Sequence, residues 1–278
     1  MKPDDFQAKV ILASCTYNSY DPPIFTIQAR YPRMIHSEVI THRVFSRNAR
    51  SSRAVPVSKL LQEEIYVPHF MKNQAGMQSF EEFDLDELKE IENKWIRFAE
   101  ETQKFSKWLS DKGVHKQWAN RPVEWFGYID TIITSTEWDN FFSLRLHKDA
   151  MPEIKELALS MDKEIRKVID ECKLQKLKNG EWHIPYVSLQ EDFELETILK
   201  LSVARCARIS YSPFDGNASL EKEFKRYELL KQQKHWSPFE HQAKVADKND
   251  IWTYDFGLES NLSYPWVQYR KLVELEEK

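Results

Sequence analysis

Scarcity of glycine constrains this 278-residue chain more than any other feature. Six occur, at positions 76, 113, 127, 180, 216 and 257, and the closest pair, Gly113 and Gly127, stands 14 residues apart. A phosphate loop or a dinucleotide fingerprint needs several glycines within a few positions, so that backbone amides can approach the pyrophosphate. Neither motif can be formed. Any nucleotide bound by this chain is held by side chains and helix ends.

The rest of the composition narrows the class. Apolar residues make up 41% and aromatic residues 13%, which is enough for a substantial core and excludes disorder as the main state. A formal charge of −4 argues against a general nucleic-acid binder, which needs a positive field, although a local basic patch stays open. Cys15, Cys172 and Cys206 are widely spaced and form no C-x-x-C, which fits a reducing compartment and excludes a zinc-thiolate cluster. The first residues lack the apolar stretch of a signal peptide, and no apolar run approaches the ~20 residues of a membrane span. The expectation is a cytoplasmic protein with no metal and no membrane partner.

Periodicity places the elements. Residues 10–17 and 25–31 read as strands, with Phe25, Ile27 and Ala29 on one face of the second. Met34 to Arg43 reads as a helix with Ile35, Val39 and His42 near one stripe. The clearest helix spans about 84–111, where Leu88, Ile91, Trp95, Phe98, Thr102, Phe105 and Leu109 recur three and four apart, as a core or subunit-interface stripe. Asp84 with Glu87 forms its capping box, and Gly113 lies just beyond its end. Thr134 to Glu137 reads as a second capping box opening a helix through Trp138, Phe141, Phe142 and Arg145. Pro152 opens a third helix, with Ile154, Leu157, Met161, Ile165 and Val168 inward. Residues 173–193 read as a connection or a peripheral strand pair, and helices follow at about 194–207 and 219–234.

Four segments could carry chemistry. In residues 41–53, Arg43, Arg47, Arg50 and Arg53 interleave with Ser46, Asn48, Ser51 and Ser52. Guanidinium forks beside short hydroxyls suit a phosphate monoester, though a solvated basic loop has the same composition. Asn140 to Arg145, continuing to His147, sets an arginine among aromatics, where a structural ion pair is the plain alternative. Residues 234–241 gather His235, Ser237, Glu240 and His241 around Pro238; their spacing fits no standard metal set. Residues 204–211 end a helix with Arg205, Arg208 and Ser210. Two other chemistries are closed: His36 to Glu38 matches half of a zinc deaminase motif without its cysteine pair, and there is no G-x-S-x-G elbow.

Together the four segments resemble the flavin-dependent thymidylate synthases, the ThyX family. The family's R-H-R-x-x-S-x-N-E-x-S-x-R-Y stands here as Thr41-His42-Arg43, then Ser46, Asn48, Ser51 and Arg53. Asn140 to Arg145 with Glu153 is similar to its N-F-x-x-L-R…E, Ala207 to Tyr211 to its A-R-V-S-[FY], and His235 to His241 to its H-x-[ST]-P-F-E-H. The last two precede R-H-R in the ordinary order and follow it here, so the chain resembles a circularly permuted member. The resemblance covers roughly 25–60, 118–165 and 200–245.

The resemblance implies an α+β fold, a central, mostly antiparallel sheet flanked by helices. It implies a single domain over 1–278 with a helical insertion at about 79–113. It implies FAD as cofactor, NADPH and methylenetetrahydrofolate as co-substrates, and a homotetramer with shared sites binding a pyrimidine deoxynucleoside monophosphate. His42, Arg43, Asn48, Asn140, Ser210, His235, Ser237 and Glu240 would contact flavin. Ser51, Arg53, Arg145 and the additional cation Arg50 would bind the nucleotide, with Arg145 and Ser51 the catalytic pair. Thr41, Ala49 and Ala54 depart from the family's Arg, Glu and Tyr. The expected reaction is methylation of dUMP to dTMP, the alternatives being hydroxymethylation of dUMP or dCMP and a non-catalytic nucleotide or nucleic-acid binder on the same scaffold.

Overall fold

In a computed structural model, residues 5–75, 79–187, 193–209, 219–250 and 260–277 are described. Five strands form the main sheet: β1 (Gln7–Thr16), β2 (Ile24–Pro32), β3 (Ser46–Ala49), β4 (Tyr128–Ser135) and β5 (Gln175–Leu177), in the order β3-β4-β2-β1-β5. Every pairing is antiparallel except the short parallel contact of β1 with β5. A second sheet of β6 (Trp182–His183), β7 (Ala243–Val245) and β8 (Trp266–Gln268) is antiparallel throughout. The α+β architecture expected from the sequence is the one found.

The alternation along β2 sorts its two faces. Phe25, Ile27, Ala29 and Tyr31 enter the main core. There they meet Ile154, Leu157, Ala158, Met161 and Ile165 of α6 (Pro152–Asp170), whose stripe recurs three and four apart. Each fully buried side chain of this size contributes roughly 1.5–3 kcal/mol. The opposite face presents Thr26 and Gln28, and is covered by α7 (Leu195–Arg208) and the small sheet. Gln28 Oε1 accepts from the Tyr186 hydroxyl at 2.7 Å, and Ile132 packs against Cys206 and Ile209.

Several local expectations are corrected. The helix expected over Met34–Arg43 is a 3-10 turn at Arg33–Ile35 followed by α1 (His36–Ile40). Thr41 Oγ1 donates to Glu38 O at 2.6 Å and the chain turns away, although Ile35, Val39 and His42 are buried together as expected. Thr134 and Ser135 cap no helix. Both are laddered into β4 opposite Thr26 and Phe25, Ser135 Oγ accepts from the Glu137 amide, and α5 (Asp139–Arg145) starts four residues later than the capping box requires. The strands within 173–193 do not pair with each other: β5 joins the main sheet and β6 the small one.

The long helix is α3 (Leu85–Asp111), following the short α2 (Val57–Leu60). Asp84 caps it, accepting from the amides of Asp86 and Glu87, and Gly113 stands at φ +79° just past its end. Its stripe is not core along its whole length. Ile91 and Trp95 are half-buried, Ala99 and Ser106 are the fully buried positions, and Phe98 and Phe105 remain 63% and 50% exposed. The remaining helices are α4 (Lys116–Ala119), α8 (Leu220–Gln232) and α9 (Tyr269–Glu276).

Candidate functional site

The site grows outward from β3, the edge strand of the main sheet. Alternation turns Ser46 and Asn48 toward the C-terminal segments, the same direction as their partners Thr134 and Ile132 on β4. Asn48 Nδ2 donates to Cys206 O at 2.9 Å, at the end of α7, and its Oδ1 accepts from Ser237 Oγ at 3.2 Å. One amide thus ties its strand to two segments that lie 158 and 189 residues further along the sequence. Ser46 Oγ donates to Asn261 Oδ1 at 3.0 Å and accepts from Gln268 Nε2 at 2.9 Å. Gln268 also reaches the carbonyl of Glu240 at 3.1 Å, which fixes the 237–240 turn against the strand.

Two clefts open on either side of this junction. The first, of about 560 Å³, is lined by Asn48, Ala49, Ser51, Ala207, His235 and Ser237, with Arg50, Arg208 and Arg226. The second, of about 450 Å³, is lined by Arg43, Arg47, Glu240, Asn261, Arg270 and Lys271. Arginine-rich walls without a glycine turn are the side-chain mode of anion binding that the composition requires. Glu240 lies within 2.5 Å of Arg270 Nη1. Burial pushes its pKa up, and the hydrogen bond from Arg270 and the charges of Arg270 and Arg47 oppose that rise. Arg47 is anchored by its own loop, donating to His42 O at 3.1 Å and Phe45 O at 2.8 Å.

His42 sits below the loop, 6% exposed, edge-on to Phe141 with ring centroids 4.9 Å apart. Arg145, in the last turn of α5, donates from Nε to His42 Nε2 at 3.0 Å and from Nη2 to Thr41 Oγ1 at 3.4 Å. Burial, and then the charges of Arg145 and Arg47, hold the imidazole below its ordinary pKa.

The expected site residues are therefore distributed. Asn48, Ser51, His235, Ser237 and Arg50 line the first cleft, Arg43 and Glu240 the second, while His42 and Arg145 form a separate pair beside them. Arg53 and Asn140 are exposed and line neither cleft, and Ser210 lies outside the described residues. Arg50 is clasped by two carboxylates, Glu63 Oε1 at 2.7 Å and Asp130 Oδ2 at 3.3 Å. Glu153, part of the α5–α6 motif, is 1% exposed and accepts from the Tyr66 hydroxyl and the His69 amide, so it clamps the 66–69 segment. Ile209 holds the left-handed conformation at φ 58°, a strained choice for a β-branched residue, at the C-terminal cap of α7.

Sequence reasoning missed Glu223, Arg226, Asn261, Gln268 and Arg270. Only Gln268 and Arg270 carried a signal, standing in and directly after the aromatic Trp266 to Tyr269 piece; the other three bear no motif.

A chain of buried polar groups runs behind the clefts. Ser14 Oγ lies 2.8 Å from His183 Nδ1, and His183 Nε2 lies 2.8 Å from Thr26 Oγ1. Thr26 Oγ1 is 2.7 Å from Thr134 Oγ1, which is 2.9 Å from His241 Nδ1. Burial holds the pKa of both histidines down to about 3, so both are neutral. His241 Nε2 and Gln242 Oε1 are buried without a hydrogen-bond partner among the described residues. Also among the described residues, no trio of His, Cys, Asp or Glu is placed to hold a metal, and no helix is long and apolar enough to cross a membrane.

A sheet edge and two remote segments are bound together around clefts whose cations are supplied by side chains. The family model described as thymidylate synthase complementing protein, Thy1, matches residues 19–170, and the chain belongs to that family. At family level it is a flavin-dependent, thymidylate synthase-like enzyme. Similar solved structures include the UMP/dUMP methylase PolB from Streptomyces cacaoi bound with 5-Br dUMP, at 16% identity and a TM-score of 0.50 over 59% of this chain and 90% of that one. The same methylase bound with 5-Br UMP matches at 17% identity and a TM-score of 0.49, over 59% and 89%. These likenesses are of fold. No curated protein sequence matches.

Proposed function

We propose that the protein is a flavin-dependent thymidylate synthase that methylates dUMP to dTMP, using methylenetetrahydrofolate and NADPH. The observation that carries this reading is the Asn48 junction, which draws the 46–53, 204–208 and 235–241 motifs to one strand edge. The same contact supports reading the chain as circularly permuted, since the family match ends at residue 170 and both C-terminal motifs return to β3. The fold likeness to a UMP/dUMP methylase agrees with a pyrimidine nucleotide substrate.

The residues fit FAD. Arg43, Arg47, Arg270 and Lys271 offer a diphosphate cations from side chains, and the orphaned His241 Nε2 and Gln242 Oε1 mark polar groups awaiting partners near the 237–240 turn. His42, Asn48, Asn140, Ser210, His235, Ser237 and Glu240 complete the proposed cofactor set. Bound and reduced, FAD supplies a hydride to the pyrimidine-borne carbon unit, and NADPH supplies the electrons that reduce it. Ser51 and Arg53 bind the nucleotide. Arg145, held in place by His42, offers its remaining donors to negative charge developing on the pyrimidine ring.

A second reading, hydroxymethylation of dUMP or dCMP, is favoured by Ala49, which places a methyl group in the first cleft where the family carries a carboxylate. The assembly we propose is a cytoplasmic homotetramer of single-domain subunits, with α3 as the core of an insertion at 79–113 and its exposed Phe98 and Phe105 at a subunit contact.

The test is turnover of dUMP and dCMP with methylenetetrahydrofolate, NADPH and FAD, followed by mass spectrometry. A methylated uracil product supports the first reading and an oxygen-bearing product the second. A protein that takes up no flavin and converts neither nucleotide refutes both.

A further inference from the structure

The first cleft holds an arginine that no motif marks. Arg50, Arg208 and Arg226 line it, and no carboxylate does so among the described residues. Their counter-ions stand behind the wall and are unequally shared. Arg50 is clasped by both Glu63 and Asp130. Arg208 donates from Nε to one oxygen of Glu223 at 3.1 Å, and its Nη2 stands 2.9 Å from the same oxygen as an ion pair. Arg226 has the other oxygen, through Nη1 at 3.1 Å.

The consequence is electrostatic. A guanidinium has five donors in a fixed fork, and one of them on Glu223 is enough to set the plane of Arg226. Glu223 is 1% exposed, whereas the Arg226 side chain is 35% exposed. Arg226 is thus oriented from behind by a carboxylate that it shares, and its other donors are at the cleft wall. Arg50 contacts two carboxylates, Glu63 and Asp130, the second also paired with Arg30 at 3.4 Å, so an incoming anion competes with two negative groups there.

We propose that Arg226 binds a phosphate group of the ligand in this cleft, and that Glu223 is the residue that positions it. This rests on the nucleotide-enzyme reading above. The recognised chemistry is a phosphate oxyanion, carried either by the mononucleotide or by the flavin dinucleotide, and the two sources separate by experiment. Ser51 on the facing loop supplies a short hydroxyl to the same cleft.

The test is calorimetric titration of the wild type, Arg226→Gln and Arg226→Lys with four probes: dUMP, deoxyuridine, FAD and riboflavin. We expect Arg226→Gln to weaken either dUMP or FAD at least tenfold while the matching phosphate-free probe binds as before. Arg226→Lys, which keeps charge but not the fork, falls between. The deficit shrinks as salt rises, because the lost interaction is ionic. The affected pair names the source of the phosphate. Equal weakening of a nucleotide and its phosphate-free counterpart, or no change at all, overturns the proposal while leaving the enzyme reading intact. A wild type that binds neither dUMP nor FAD overturns both.

Discussion

Arg145 donates from Nε to His42 Nε2 across 3.0 Å, so the imidazole accepts at that nitrogen and is neutral. Burial and the nearby charges of Arg145 and Arg47 favour the same state. The histidine positions the arginine, and the arginine keeps the histidine uncharged.

Arg145→Lys therefore keeps a cation but loses the Nε donor that fixes its place. On the proposed reaction, kcat falls roughly 10²–10³-fold, the cost of losing one oriented donor to developing charge. Steady-state turnover with dUMP measures this, and circular dichroism is expected to match the wild type. A loss of fold with turnover per folded molecule unchanged would contradict the role.

The two core histidines predict acid sensitivity. Unfolded histidine titrates near 6.5, while His183 and His241 do so at about 3 in the fold. Between those values the unfolded chain binds protons that the folded chain refuses. Stability is therefore full above about pH 6.5 and falls as pH drops, by about 1.4 kcal/mol per pH unit per histidine. Urea denaturation at pH 7, 6 and 5 gives the slope, and His183→Gln is expected to remove one histidine's share of it.

Asn48 joins β3 to α7 and to the 237–240 turn, so Asn48→Ala leaves Cys206 O and Ser237 Oγ without that partner. The expected cost is about 1–3 kcal/mol. Asn48→Asp is expected to be worse, because an acceptor-only side chain then faces a carbonyl oxygen. Denaturant midpoints of the two variants check the order.

The exposed aromatics of α3 predict an assembly effect. Phe98→Lys with Phe105→Lys is expected to lower the sedimenting mass while helicity stays unchanged, since both side chains are at least half exposed in the single chain. A wild type that sediments as a monomer would remove this contact from the account.

Legibility in the sequence followed physical locality. The alternation of β2, the stripe of α6 and the cap of α3 are set by residues two to four positions apart, and all are found where periodicity places them. Thr134 and Ser135 misled because a hydroxyl beside a glutamate suits a helix cap as well as a strand end; pairing with β2, a hundred residues away, decided it. The motifs named most of the cleft walls. They could not name what stands behind them: Glu63 and Asp130 on Arg50, Glu223 on Arg208 and Gln268 on Ser46 are partners chosen by the fold alone.

The line of hydroxyls and imidazoles from Ser14 to His241 has a direction. A threonine hydroxyl carries one proton, so each link can be satisfied only if its neighbours all point the same way. If His183 carries its proton on Nε2, Thr26 and Thr134 both point onward, His241 accepts at Nδ1, and its far nitrogen becomes N–H. If His183 carries it on Nδ1, the whole row reverses and that far nitrogen is a bare lone pair. A tautomer chosen in the interior beside Ser14 thus dictates whether His241 Nε2 offers a proton or asks for one.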